Sequence, residues 1–84
     1  MAKAAKPAKK LAKIDRYIID AVRDRRNELG ISQGELSRLV GRSYGYISQY
    51  ESYKRGNHYN TKMINELAKA LQCSPRIFWP ENPL

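Results

Sequence analysis

The side chains of this 84-residue chain that could do chemistry are hydrogen-bonding groups rather than nucleophiles, and they gather between Gln33 and Glu51. Gln33, Gly34, Glu35, Leu36, Ser37, Arg38, Leu39 and Val40 make one helix-length segment. Gly41, Arg42 and Ser43 interrupt it, and Tyr44, Gly45, Tyr46, Ile47, Ser48, Gln49, Tyr50 and Glu51 make a second. On the second segment Ile47 and Tyr50 fall on one side of a helix, whereas Tyr44, Gly45, Ser48 and Gln49 fall on the other. Two short helices across a tight turn containing a glycine are the outline of a helix-turn-helix. In that unit the second helix stands out from the body, where its polar side can enter a DNA groove.

Other chemistry is not provided for. There is no Ser/His/Asp set with a plausible partner, no glycine-rich phosphate loop and no pair of carboxylates in an apolar setting, so an enzyme is not expected. His58 has no second histidine or carboxylate cluster near it in the sequence and reads as a loop residue, not a metal ligand. Cys73 is the sole cysteine, which rules out an intrachain disulfide. It reads as a small buried apolar residue near the end of a helix. Neither a cofactor nor a metal is expected.

The charge is lopsided. Sixteen Lys and Arg face eight Asp and Glu, for a formal net charge of +8. Lys3, Lys6, Lys9, Lys10 and Lys13 all fall within residues 1–13, which hold no acid. A small domain this basic implies a polyanionic partner, held through counterion release from phosphates. Charge alone does not choose among DNA, RNA and an anionic membrane. However, no apolar run approaches the roughly 20 residues of a membrane span. The N-terminal segment also lacks the apolar stretch of a signal peptide. A cytoplasmic location without a membrane partner is therefore the expectation.

The chain is long enough for one small domain, which buries only about 60% of its unfolded surface and rests on packing. Residues 1–13, rich in Ala and Lys, read as a basic arm that could be helical from Pro7, and residues 14–84 as the folded unit. Helix 1 is expected over 15–29, with Ile14, Ile18, Ala21 and Val22 inward and Gly30 ending it. Ser32 caps helix 2, with Glu35 closing a capping box and Leu36, Leu39 and Val40 inward. Ser43 is expected to cap helix 3, over about 44–51. A polar loop, 52–60, leads to helix 4, capped by Thr61, with Met63 or Ile64, Leu67, Ala68 and Leu71 inward. Ser74 and Pro75 open a short fifth helix to Trp79. No strand signal competes. The fold class is all-α, with five helices.

With those elements in place the chain resembles the lambda-repressor-like, Cro/C1-type (XRE) helix-turn-helix family of small DNA-binding domains. The resemblance covers about 18–78. Arg23, Arg26, the run Gly30-Ile31-Ser32-Gln33, Glu35-Leu36, Gly41, Ser43, Ile47-Ser48, Tyr50-Glu51, Leu67-Ala68 and Leu71 carry it.

The resemblance implies that Gln33 hydrogen-bonds a phosphate from the start of helix 2. It also implies that Tyr44, Gly45, Ser48 and Gln49 lie in the major groove, with Arg42, Ser43 and Tyr46 among the DNA-binding residues beside them. Gln49 is the candidate for direct readout, because an amide pairs bidentately with adenine N6 and N7. Tyr44 and Tyr46 would meet thymine methyls or phosphates. Lys54, Arg55 or Tyr59 of the loop would meet phosphate, and Arg26 would pair with Glu51 as a structural ion pair. Three departures stand out: Gly34 where a longer polar residue is usual, Arg25 where leucine is common, and a lengthened 52–60 loop.

The six tyrosines allow a platform for single-stranded nucleic acid. Against that, Tyr50 reads as core and Tyr17 as partly buried, with Tyr44, Tyr46 and Tyr59 open. Ile77, Phe78, Trp79 and Leu84 read either as core closure or as a dimer patch. The favoured function is a sequence-specific double-stranded DNA-binding regulator, a repressor acting as a homodimer. The alternatives are an antitoxin of the same fold with a toxin partner, and a nonspecific binder driven by the lysine arm.

Overall fold

The structure, a computed structural model, describes residues 10–84. The expected arm as far as residue 9, with its helical start at Pro7, lies outside the described residues. Four α-helices follow in order: α1 (Lys13–Glu28), α2 (Gln33–Leu39), α3 (Tyr46–Glu51) and α4 (Thr61–Ala70). A 3-10 turn, Pro75–Phe78, comes after them. No strand occurs among the described residues, so the class is all-α. No helix among them is long and apolar enough to cross a membrane.

The apolar spacing of α1 buries Ile18, Ile19 and Val22, with Arg26 on the same side one turn further on. Leu11, ahead of the helix, also packs against the core. From α2 only Leu36 among the apolar residues is fully buried; Leu39 is 55% exposed and Ser37 takes the inward position instead. Ile47 and Tyr50 enter from α3, and Ile64, Leu67, Ala68 and Leu71 from α4 and its end. Phe78, wholly buried, closes the core. The 3-10 turn that carries it packs against both α1 and α4.

Glycine ends two of these helices in the same way. After α1, Gly30 (φ +69°) donates to the Asn27 carbonyl and Ile31 to the Arg26 carbonyl. After α2, Gly41 (φ +74°) donates to Arg38 and Arg42 donates to Ser37. This paired closure needs a left-handed residue, which glycine supplies without steric cost.

Several local expectations are corrected. The fifth helix is a 3-10 turn: Ser74 Oγ accepts from the Arg76 amide, but Trp79 is already extended, and Pro80 has no N–H to continue the ladder. The cap of α4 is Asn60, whose side chain accepts from the Met63 amide, so Thr61 is the first helical residue. Ser43 does not cap α3, which begins at Tyr46 behind a turn at Tyr44 and Gly45. Tyr17 is 41% exposed rather than partly buried, and Cys73 is half-buried.

Tyr59 is the largest change. It is 4% exposed and stacks on Tyr50, with ring centroids 4.4 Å apart. Gly56, buried with φ +66°, turns the loop back so that this ring enters the core. Its hydroxyl is buried without a partner, and burial holds it neutral by raising its pKa, with the Glu51 charge adding to the effect. A phosphate cannot reach it. Tyr59→Phe removes a buried, unpaired polar group, so stability stays level or rises by up to about 1 kcal/mol in chemical denaturation. DNA affinity is unchanged.

Candidate nucleic-acid interface

α3 has six residues and no side-chain cap of its own. Isolated helices that short do not persist in water. What holds it is borrowed from other elements. The Tyr46 amide donates to the Ser43 carbonyl at 3.0 Å, and the Ile47 amide donates to Ser37 Oγ on α2, also at 3.0 Å. The Ser37 hydroxyl in turn donates to the Gln33 carbonyl at 2.8 Å. A residue of α2 thus caps the first turn of α3 and fixes how the two helices meet. Nothing in the local pattern marked Ser37, because its partner lies ten residues away.

The other end of α3 is anchored by charge. Glu51 Oε1 accepts from Arg26 Nη2 and Oε2 from Arg26 Nε, at 2.8 and 3.0 Å. Arg26 Nη1 donates to the Ile31 carbonyl, and Gln33 Nε2 donates to Glu51 Oε1, both at 2.8 Å. The two charged side chains are only 11% and 4% exposed. Every charge in the cluster is met by fork geometry and added hydrogen bonds, the condition for a buried pair to be tolerated.

Between these anchors α3 turns Ile47 and Tyr50 inward and leaves Gln49 exposed and Ser48 half-exposed. Ser48 Oγ donates to the Gly45 carbonyl, so its lone pairs remain as acceptors. Ahead of the helix Arg42 and Ser43 are exposed, and Tyr44 is 75% exposed. The Arg42 guanidinium lies over the Tyr46 ring at 5.1 Å. Tyr46 meets Tyr50 edge-on at the same distance. Burial, with help from Tyr50, pushes the Tyr46 hydroxyl up to about 12. Gln33 spends one amide hydrogen on Glu51 and keeps a second.

Lys54 and Arg55 are exposed, and Tyr53 between α3 and them is the residue the sequence did not single out. Its backbone is left-handed, φ 62°, and its side chain folds back on α1. The hydroxyl donates to Asp20 and accepts from Arg23 Nη1, and Arg16 lies over the ring at 4.3 Å. The lengthened loop is thereby pinned. Arg25, the other departure, donates from Nε to the Leu71 carbonyl and from Nη2 to that of Gln72, closing the carbonyl end of α4. His58 lies 3.9 Å from Asp15. No group of three His, Cys, Asp or Glu able to hold a metal occurs among the described residues.

Two stability outcomes follow from the anchors. Ser37→Ala leaves the Ile47 amide buried and unpaired and lowers the unfolding free energy by about 1–3 kcal/mol, measured in urea. Arg26→Ala and Glu51→Ala each cost about 3–5 kcal/mol. The double variant loses less than their sum, because neither charge is then left buried alone.

A helix-turn-helix family model matches residues 22–78, which takes in every helix-turn-helix element just described. Among solved structures, the hypothetical transcription factor NHTF from Neisseria superposes with a TM-score of 0.71. It is 24% identical over 93% of this chain and 90% of its own, a likeness of fold. The P22 c2 repressor, crystallised with a synthetic operator, is 35% identical with a TM-score of 0.60. That match covers 77% of this chain and 96% of the repressor chain. No curated protein sequence gives a significant match. The family match over most of the chain, and the identity to the phage repressor, show that this chain belongs to the XRE-type helix-turn-helix family.

Proposed function

We propose that the chain is a sequence-specific double-stranded DNA-binding transcriptional regulator, acting as a repressor. The observation that carries this reading is the mounting of α3. A helix too short to stand alone is clamped at both ends, with its apolar side in the core and its polar side in solvent. Such rigidity has no use in packing alone, but it gives base-reading side chains a fixed register. The P22 c2 repressor, solved on an operator at 35% identity, supports the same reading and favours repression over activation.

The proposed contacts divide by chemistry. Gln49 reads an adenine edge through its amide, Ser48 accepts from a base or a water, and Gly45 allows close approach. Tyr44 and Tyr46 contact thymine methyls or phosphates. Gln33, through its second amide hydrogen, joins Arg42, Ser43, Lys54 and Arg55 on the phosphates. Lys3, Lys6, Lys9 and Lys10 add counterion release ahead of the domain, which takes in Leu11 and the start of α1 at Lys13. We also infer a homodimer. Ile77 and Trp79 flank the buried Phe78 yet stay 50% and 43% exposed, as side chains awaiting a second copy would. Two α3 helices would then occupy major grooves about 34 Å apart on a pseudo-palindromic site.

Selection of bound DNA from a randomised library tests the whole reading: a symmetric motif supports it, and no motif sinks it. On the selected site, Gln49→Ala costs about 1–3 kcal/mol at one base position and relaxes preference there. Lys54→Ala weakens all sequences alike and reduces the slope of log affinity against log salt by about 1. Fluorescence anisotropy on operator and random duplexes separates the two. Equal losses on both duplexes for Gln49→Ala would remove that residue from readout.

A further inference from the structure

Gly34 is buried in the first turn of α2, although its backbone is not left-handed and has no need of glycine. A glycine there weakens the helix. What requires it is Tyr44. A Cβ built on Gly34 would overlap Cε1 of the Tyr44 ring and stand 2.5 Å from Cζ and 2.6 Å from Cδ1. One edge of the ring, including its hydroxyl end, therefore fills the space that any other side chain at position 34 would occupy. Tyr44 is nonetheless 75% exposed, more than any other large apolar side chain described. Burial for its own sake does not explain the contact. An exposed tyrosine in a turn samples several rotamers; one seated against a backbone does not.

We propose that Gly34 and Tyr44 form a specificity-determining pair. The missing side chain on α2 lets the ring lie down beside the opening of α3. The seated ring then presents its free edge at one angle to a thymine methyl. The methyl is the partner because it is the apolar group on base edges in the major groove, and the ring edge opposite the one against Gly34 is apolar C–H. Gly34 touches no DNA in this scheme; it is a positioning residue acting through Tyr44. The pairing rests on the DNA-binding reading above. Preorganising the ring lowers the ordering cost of binding, which accounts for a glycine that weakens its own helix.

The test uses the full chain and the motif it selects, with each thymine replaced in turn by uracil, which lacks only the methyl. The wild-type chain loses about fourfold in affinity at a thymine in each half-site, the worth of one buried methyl. Tyr44→Ala abolishes that sensitivity. Gly34→Ala abolishes it too, by displacing the ring, while its melting temperature stays level or rises, since alanine is the better helix former. In the Gly34→Ala background, Tyr44→Ala has no further effect on affinity. Retention of the wild-type motif, affinity and uracil sensitivity by Gly34→Ala overturns the proposal. So does a lower melting temperature for that variant, which would make the ring a packing wedge rather than a reader. A wild-type chain that selects no motif defeats the DNA-binding reading itself, and this pairing with it.

Discussion

The buried fork between Arg26 and Glu51 is the constraint on which the rest of this small domain depends. It joins three elements at one point: α1 through Arg26, α3 through Glu51, and the start of α2 through the Ile31 carbonyl and Gln33. A domain of this size has little apolar area to spend on fixing helix orientation. Apolar packing is also tolerant of direction, whereas a bidentate ion pair in a nearly dry site is not. The cluster therefore fixes where α3 ends, and Ser37 fixes where it begins.

α3 is accordingly a hosted element. With six residues it cannot nucleate by itself, and its amide end receives a hydroxyl from α2 rather than a cap of its own. The arrangement leaves the side chains of Ser43 and Tyr44, just before it, free of capping duty. The chain there can then take the turn that lays Tyr44 against Gly34. Folding and recognition are coupled here through geometry: the groups that hold the helix also decide which side chains face outward.

The departures from the family pattern have physical accounts in this chain. Arg25, where leucine is common, supplies donors to the last carbonyls around α4. The lengthened loop does not hang free, because Tyr53 is tied to Asp20, Arg23 and Arg16 on α1. Tyr59 then closes it from inside by stacking on Tyr50. Only Lys54 and Arg55 of the loop's expected phosphate contacts remain exposed.

The sequence by itself determined what local physics determines. Periodicity placed Ile18, Val22, Leu36, Ile47, Leu67 and Leu71 inward. Gly30 and Gly41 marked helix ends, because a left-handed residue is a one-position requirement, and Ser32 marked a start, because a cap reaches only three residues. The true cap of α4, one residue before Thr61, missed by the smallest possible step. Tertiary structure alone decided that Ser37 caps another helix, that Tyr59 lies in the core, that Tyr53 pins the loop and that Gly34 makes room for Tyr44. Each of those depends on partners nine or more residues away or on space left by a missing atom, and neither leaves a period or a motif in the chain.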